Sequence, residues 1–172
     1  LYTFLAEKLE LPETLRKRSE ELESLGLIDA SEERFTNIFD RTMADSYLDT
    51  ITKIVVLDRV SIPNASYLFY NLPNLETIEN IGWLDTSGTT RFDYMFCECP
   101  KLKNVNFSDF DTSSAVTFAN MFDSTGFESL DLSDFNTERV GNFNRMFQDC
   151  KNLKSINLSS FNTLKVSDAE YM

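Results

Sequence analysis

Over roughly the last 120 residues, apolar and polar positions recur in a pattern that fits neither a single helix nor a single strand. In the stretch FNRMFQDCKNLKSINLSSFNT (143–163), the apolar side chains are Phe143, Met146, Phe147, Cys150, Leu153, Ile156, Leu158 and Phe161. Val140, Phe143, Met146 and Phe147 are spaced three, three and one apart. That is one face of a short helix, with Asn136 or Thr137 standing where its first turn is capped. From Leu153 the period changes to L-x-x-I-x-L-x-x-F, whose central pair alternates as a short strand does. Each unit therefore predicts a short helix followed by a short strand.

The same layout recurs upstream. FDYMFCECPKLKNVNFSDFDT occupies 92–112 and FANMFDSTGFESLDLSDFNT occupies 118–137. Thr89, Phe92, Met95 and Phe96 repeat the helical face, as do Ala115, Phe118, Met121 and Phe122. Met95, Met121, Met146 and Met172 lie 26, 25 and 26 residues apart, and the Leu68-Phe69 pair opens a diverged copy 27 residues before Met95. An aromatic recurs at Trp83, Phe110, Phe135 and Phe161, and a threonine at Thr86, Thr112, Thr137 and Thr163. The third copy is one residue shorter and has Thr125 and Phe127 where its neighbours have Cys and Leu; the first puts Asn80 in an apolar slot.

Self-similarity at this period predicts a solenoid, because one unit cannot bury its apolar face without a neighbour. The expected fold class is an α/β solenoid: a leucine-rich-repeat-like right-handed coil of short parallel strands and short helices. It spans 52–172 as about four coils of 25–27 residues, truncated at the C-terminus. The shared interior is expected to hold Met95, Phe96, Cys99, Leu102, Phe110, Met121, Phe122, Phe135, Met146, Phe147, Cys150, Leu153 and Phe161.

Residues 1–51 read as a helical N-terminal segment. A first helix starts near Pro12, carries Leu11, Leu15, Leu22 and Leu25 on one side and ends at Gly26; a second is capped by Ser31 and turns Phe35, Ile38, Phe39 and Met43 inward. The segment is expected to cover the end of the solenoid, leading into the ITKIVVL strand; the alternative is the tail of an upstream domain.

The motif M-F-x-x-C-x-x-L-x-x-[LIV]-x-[LF]-S-x-F-[DN]-T resembles the repeat of BspA-like leucine-rich repeat surface proteins of bacteria. It is most similar to the variant of mycoplasmal and lactic-acid-bacterial lipoproteins and wall-anchored proteins. Residues 107–112, 132–137 and 158–163 carry the resemblance, which covers roughly 54–172. It implies surface display or secretion and binding, rather than a reaction.

Composition narrows the chemistry. A net charge of −12 opposes nucleic acid and anionic membrane surfaces as partners. The longest apolar run, residues 54–57, is far too short to insert in a membrane. With no histidine, the usual general base and the commonest metal ligand are both missing. No catalytic residue, cofactor or metal is expected. Cys99 and Cys150 share a slot two coils apart, about 10 Å at the parallel rung spacing, too far for a disulfide. The C-x-C of Cys97 and Cys99 lacks a second pair for zinc. Asp109, Asp111, Asp131 and Asp134 fall at corners, where such residues close turns; calcium and a glycosidase-type acid pair are the competing readings.

Function is expected on the outward strand positions: Glu79, Asn106, Asp131 and Asn157 in one row, Asn104, Ser129 and Ser155 (after Thr77) in another, and Ser108, Ser133 and Ser159 in a third. These rows hold small polar side chains and no aromatic or arginine. They suit hydrogen bonding to a glycan or a polar protein surface, and equally suit mere solvation. The expected function is non-catalytic recognition of the adhesion type, with a passive spacer or an appendage of an enzyme as alternatives.

Overall fold

The computed structural model describes residues 48–57 and 59–172, so the two helices expected within 1–51 lie outside the described residues. After a 3-10 turn at Leu48–Thr50 come seven short strands: β1 (Lys53–Val55), β2 (Val60–Ser61), β3 (Thr77–Glu79), β4 (Leu84–Asp85), β5 (Asn104–Val105), β6 (Ser129–Asp131) and β7 (Ser155–Asn157). Every pairing is parallel and joins like positions of successive repeats, in the orders β1-β3-β5, β2-β4 and β6-β7. The alternation read from the sequence sets which side faces in: in β6, Leu130 is buried while Ser129 and Asp131 face out.

The short helices expected in the other half of each unit are not formed. Residues 93–98, 119–124 and 144–149 are successive turns. In the second repeat, the Met95 N–H donates to the Phe92 carbonyl and the Cys97 N–H to the Tyr94 carbonyl, both at 3.2 Å. Tyr94 and Glu98 have φ of 58° and 60°, and Asn120, Ser124, Arg145 and Asp149 repeat this pair of left-handed residues. Such residues end a helix, since each costs roughly 1–2 kcal/mol and reverses the local path. The alternate N–H groups of Phe92, Tyr94, Phe96 and Glu98 donate instead to Thr117, Ala119, Met121 and Asp123 of the next repeat, at 2.9–3.2 Å. Overlapping turns and a helix both send positions i, i+3 and i+4 to one side. The apolar spacing therefore does not tell them apart.

Those inward positions form one core. Met95, Phe96, Cys99, Leu102, Phe110, Met121, Phe122, Phe135 and Met146 are buried; Phe147, Cys150, Leu153 and Phe161 are partly so. Phe69, Phe96, Phe122 and Phe147 stack repeat on repeat with ring centroids 5.4–5.8 Å apart and planes within 20°. The recurring threonines do not cap helices. Thr86, Thr112 and Thr137 are buried, and each hydroxyl donates to a carbonyl of the following repeat, at Asp111, Asn136 and Asn162. This satisfies a polar row inside an apolar stack. The Cys99 and Cys150 thiols donate to the Phe69 and Phe122 carbonyls at 3.1 and 3.0 Å, and all three cysteines are free.

Two repeats depart from the 26-residue spacing. In the first, Asn80 is an extra residue at φ 58°, and its amide donates to the Val56 carbonyl at 3.1 Å. Ile81, not Asn80, fills the apolar slot, and Leu84, not Trp83, takes the place of Phe110. In the third, the single Gly126 spans what Pro100-Lys101 span in the second. A Cβ on Gly126 would lie 2.2 Å from the Pro100 carbonyl oxygen, so only glycine allows this approach.

Candidate functional site

The two departures flank an open groove of about 650 Å3 on the strand face. Its lining includes six of the outward residues expected from the sequence, Thr77, Glu79, Asn104, Asn106, Ser129 and Asp131. It adds Trp83, Lys103 and Asp109. Ser155 and Asn157, on β7, are exposed on the same face beyond it, in register with Ser129 and Asp131.

Trp83 is the residue that sequence reasoning misplaced. Counting forward from Ile78 puts it in the aromatic core slot; the extra Asn80 carries it one position on, to the exposed place that Asp109 holds in the next repeat. Its side chain is 41% exposed, against 3% for Phe110 and 1% for Phe135. The signal was available as the 27-residue interval from Leu68 to Met95. The face expected to lack an aromatic therefore has one. Gly82, just before it, lies against the next repeat: a Cβ there would meet the Asp109 Cβ at 2.5 Å.

The groove crosses a seam in the sheet. β3 pairs with β5 and β6 with β7, but β5 and β6 do not pair. Among the described residues, no backbone hydrogen bond joins 103–107 to 127–132. The like positions in the β1–β3 and β6–β7 pairs are bonded: Val56 N–H to the Glu79 carbonyl at 3.1 Å, and Leu132 N–H to the Asn157 carbonyl at 3.0 Å. The shortened third repeat accounts for the gap, because drawing Gly126 in against Pro100 shifts the path into β6.

Local turns fix the polar side chains. Asn106, Asp131 and Asn157 each accept the N–H two residues on, at Ser108, Ser133 and Ser159, at 3.0–3.1 Å. These Asx turns leave part of each side chain to face a ligand while holding its position. Asp111 makes the same contact with Ser113 at 2.8 Å. The Ser133 hydroxyl and N–H beside Asp131 hold its carboxyl below the ordinary range, so it stays ionised. Glu79 is already engaged by Lys53 at 2.9 Å.

A second hollow, of about 370 Å3, lies on the turn face. There Tyr67 and Tyr94 stack with centroids 4.7 Å apart, and buried Asp93 accepts from Arg91 at 2.9 Å and from the Thr117 hydroxyl. The Ser66 hydroxyl there is buried without a hydrogen-bond partner. Its one charged pair is closed on itself. The thiols offer no nucleophile: burial pushes Cys99 up to about 12 and raises Cys97 and Cys150. Among the described residues, no cluster of acids and cysteines is placed to hold a metal, and no helix is long and apolar enough to cross a membrane.

The span of parallel, like-on-like pairing from β1 onward coincides with a known sequence family. A family described as Mycoplasma protein of unknown function, DUF285, matches residues 54–172. The chain belongs to this family. The DUF285 match starts inside β1 and covers every repeat, with Asn80, Trp83 and Gly126 within it. No curated protein and no solved structure matches the chain.

Proposed function

We propose that this DUF285 chain is a non-catalytic recognition module, displayed at a cell surface or secreted, that binds a protein or glycan partner through the strand-face groove. On this reading, residues 52–172 wind as a right-handed, leucine-rich-repeat-like solenoid of about four coils. The observation that carries it is Trp83. An indole left 41% exposed beside fixed Asn, Asp and Ser side chains is an aromatic anchor with a polar rim, the arrangement that recognition surfaces use. The BspA-like character of the repeat motif supports display at a surface. The lack of histidine and the raised thiols support a role without catalysis.

The test is binding of the purified chain to immobilised cells and matrix components, compared with Trp83→Ala and Asp131→Ala. The groove reading expects both variants to melt like the parent and to lose retention. Equal retention by all three proteins would refute it. No retention by any would favour a spacer that holds another domain away from its base.

A further inference from the structure

Resting on the recognition reading, we infer that the groove takes a glycan of uncharged or amine-bearing pyranose rings, with one ring laid against the Trp83 indole.

Three features choose a sugar over a protein. First, the groove has a single aromatic and no arginine, whereas protein hot spots gather several such anchors. One indole is enough for a sugar: its electron-rich face takes the weakly positive C–H side of a pyranose. Second, the rest of the lining is a grid of short hydrogen-bonding groups. Asn104 and Asn106 face Ser129 and Asp131 across the seam, alternating along strands whose residues repeat at about 6.8 Å per pair. A hydroxyl both donates and accepts; Asn amides meet both needs, and the ionised Asp131 carboxylate accepts with the extra strength of a charged acceptor. Third, the volume of about 650 Å3 lies within the range of small-ligand sites and is open along the face, which suits a short oligosaccharide.

Charge selects among sugars. Glu79, Asp109 and Asp131 stand in the lining against Lys103, within a chain of net charge −12. This field repels carboxylated and sulfated sugars and tolerates neutral or amine-bearing ones. The seam adds to the fit, since among the described residues β5 and β6 pair only with their outer neighbours and no backbone hydrogen bond joins 103–107 to 127–132 across it.

The experiment probes the purified chain on an array with three arms: neutral and amino-sugar oligosaccharides, their sialylated and sulfated counterparts, and short peptides. The expected result is binding in the first arm and weaker binding in the second. Trp83→Ala should weaken the first arm by about tenfold or more, with Trp83→Phe in between. Asn106→Ala guards against a folding effect at position 83 and should also weaken it. Stronger binding of the acidic sugars overturns the inference. Binding confined to peptides and lost in Trp83→Ala overturns the glycan and leaves the recognition reading standing. Silence in every arm, or binding that ignores Trp83, overturns both.

Discussion

The first and third repeats break the same period in opposite directions, and the stack answers them differently. The extra residue in the first is pushed aside. Asn80 adopts a left-handed conformation, Ile81–Trp83 forms a 3-10 turn, and β3 still pairs with both β1 and β5. The missing residue in the third cannot be absorbed in that way. Gly126 is pulled onto the Pro100 backbone, and the sheet is interrupted between β5 and β6. An insertion bulges outward into free space. A deletion must shorten the path itself, and the ladder gives way. Between the two lies the groove, with the exposed indole contributed by the insertion and the open seam by the deletion.

This comparison can be broken most forcefully at its glycines. Gly126→Val places a Cβ 2.2 Å from the Pro100 carbonyl oxygen and should cost about 3 kcal/mol, read by denaturant unfolding. Gly82→Ala meets the Asp109 Cβ at 2.5 Å and its carbonyl oxygen at 2.9 Å, and should cost about 1–2 kcal/mol. Gly88 has nothing within 4 Å of such a Cβ, so Gly88→Ala should leave stability unchanged or raise it by up to about 1 kcal/mol. Equal losses at all three positions would show that close approach between repeats is not what these glycines serve.

Amide hydrogen exchange sharpens the contrast. Val56 and Leu132 donate across their strand pairs and should exchange slowly, whereas Phe107, at the like position on the seam, should exchange faster. Replacing Gly126 by Pro-Lys restores the 26-residue spacing and should slow Phe107 toward its counterparts. An unchanged rate at Phe107 would mean that the deletion is not what opens the seam.

Much of this could be read from the residues, and the exceptions have physical causes. The stack of Phe69, Phe96, Phe122 and Phe147 was legible because burial imposes the same side chain at the same interval. The outward rows were legible because strand alternation leaves no other side for Asn104, Asn106, Ser129 and Asp131. Helix and overlapping turns were not separable, because the pattern of inward positions is common to both. Only the left-handed residues distinguish them, and Tyr94, Glu98 and Arg145 are not residue types that announce that conformation. The place of Trp83 was hidden by a one-residue insertion that the second, third and fourth copies lack.

The smallest expected effect is a pH dependence. Burial, with Asp149 and Glu98 nearby, raises the Asp123 carboxyl above its ordinary value. Between the ordinary and raised values the folded chain holds a proton that the unfolded chain has released. The Asp123 contribution to stability therefore falls as pH rises through that window. Asp123→Asn should melt slightly higher than the parent at neutral pH and match it well below the carboxylate range. A lower melting temperature at neutral pH would mean that the bond Asp123 accepts from the Ser124 hydroxyl outweighs its burial.

Trp83 is the only tryptophan in the chain, so its fluorescence reports directly on whether the extra residue delivers an indole to the groove. The expected result is red-shifted emission readily quenched by acrylamide in the folded protein, with little further shift on unfolding. Blue-shifted emission resistant to quencher would put the ring back in the aromatic core slot and contradict the account of the site.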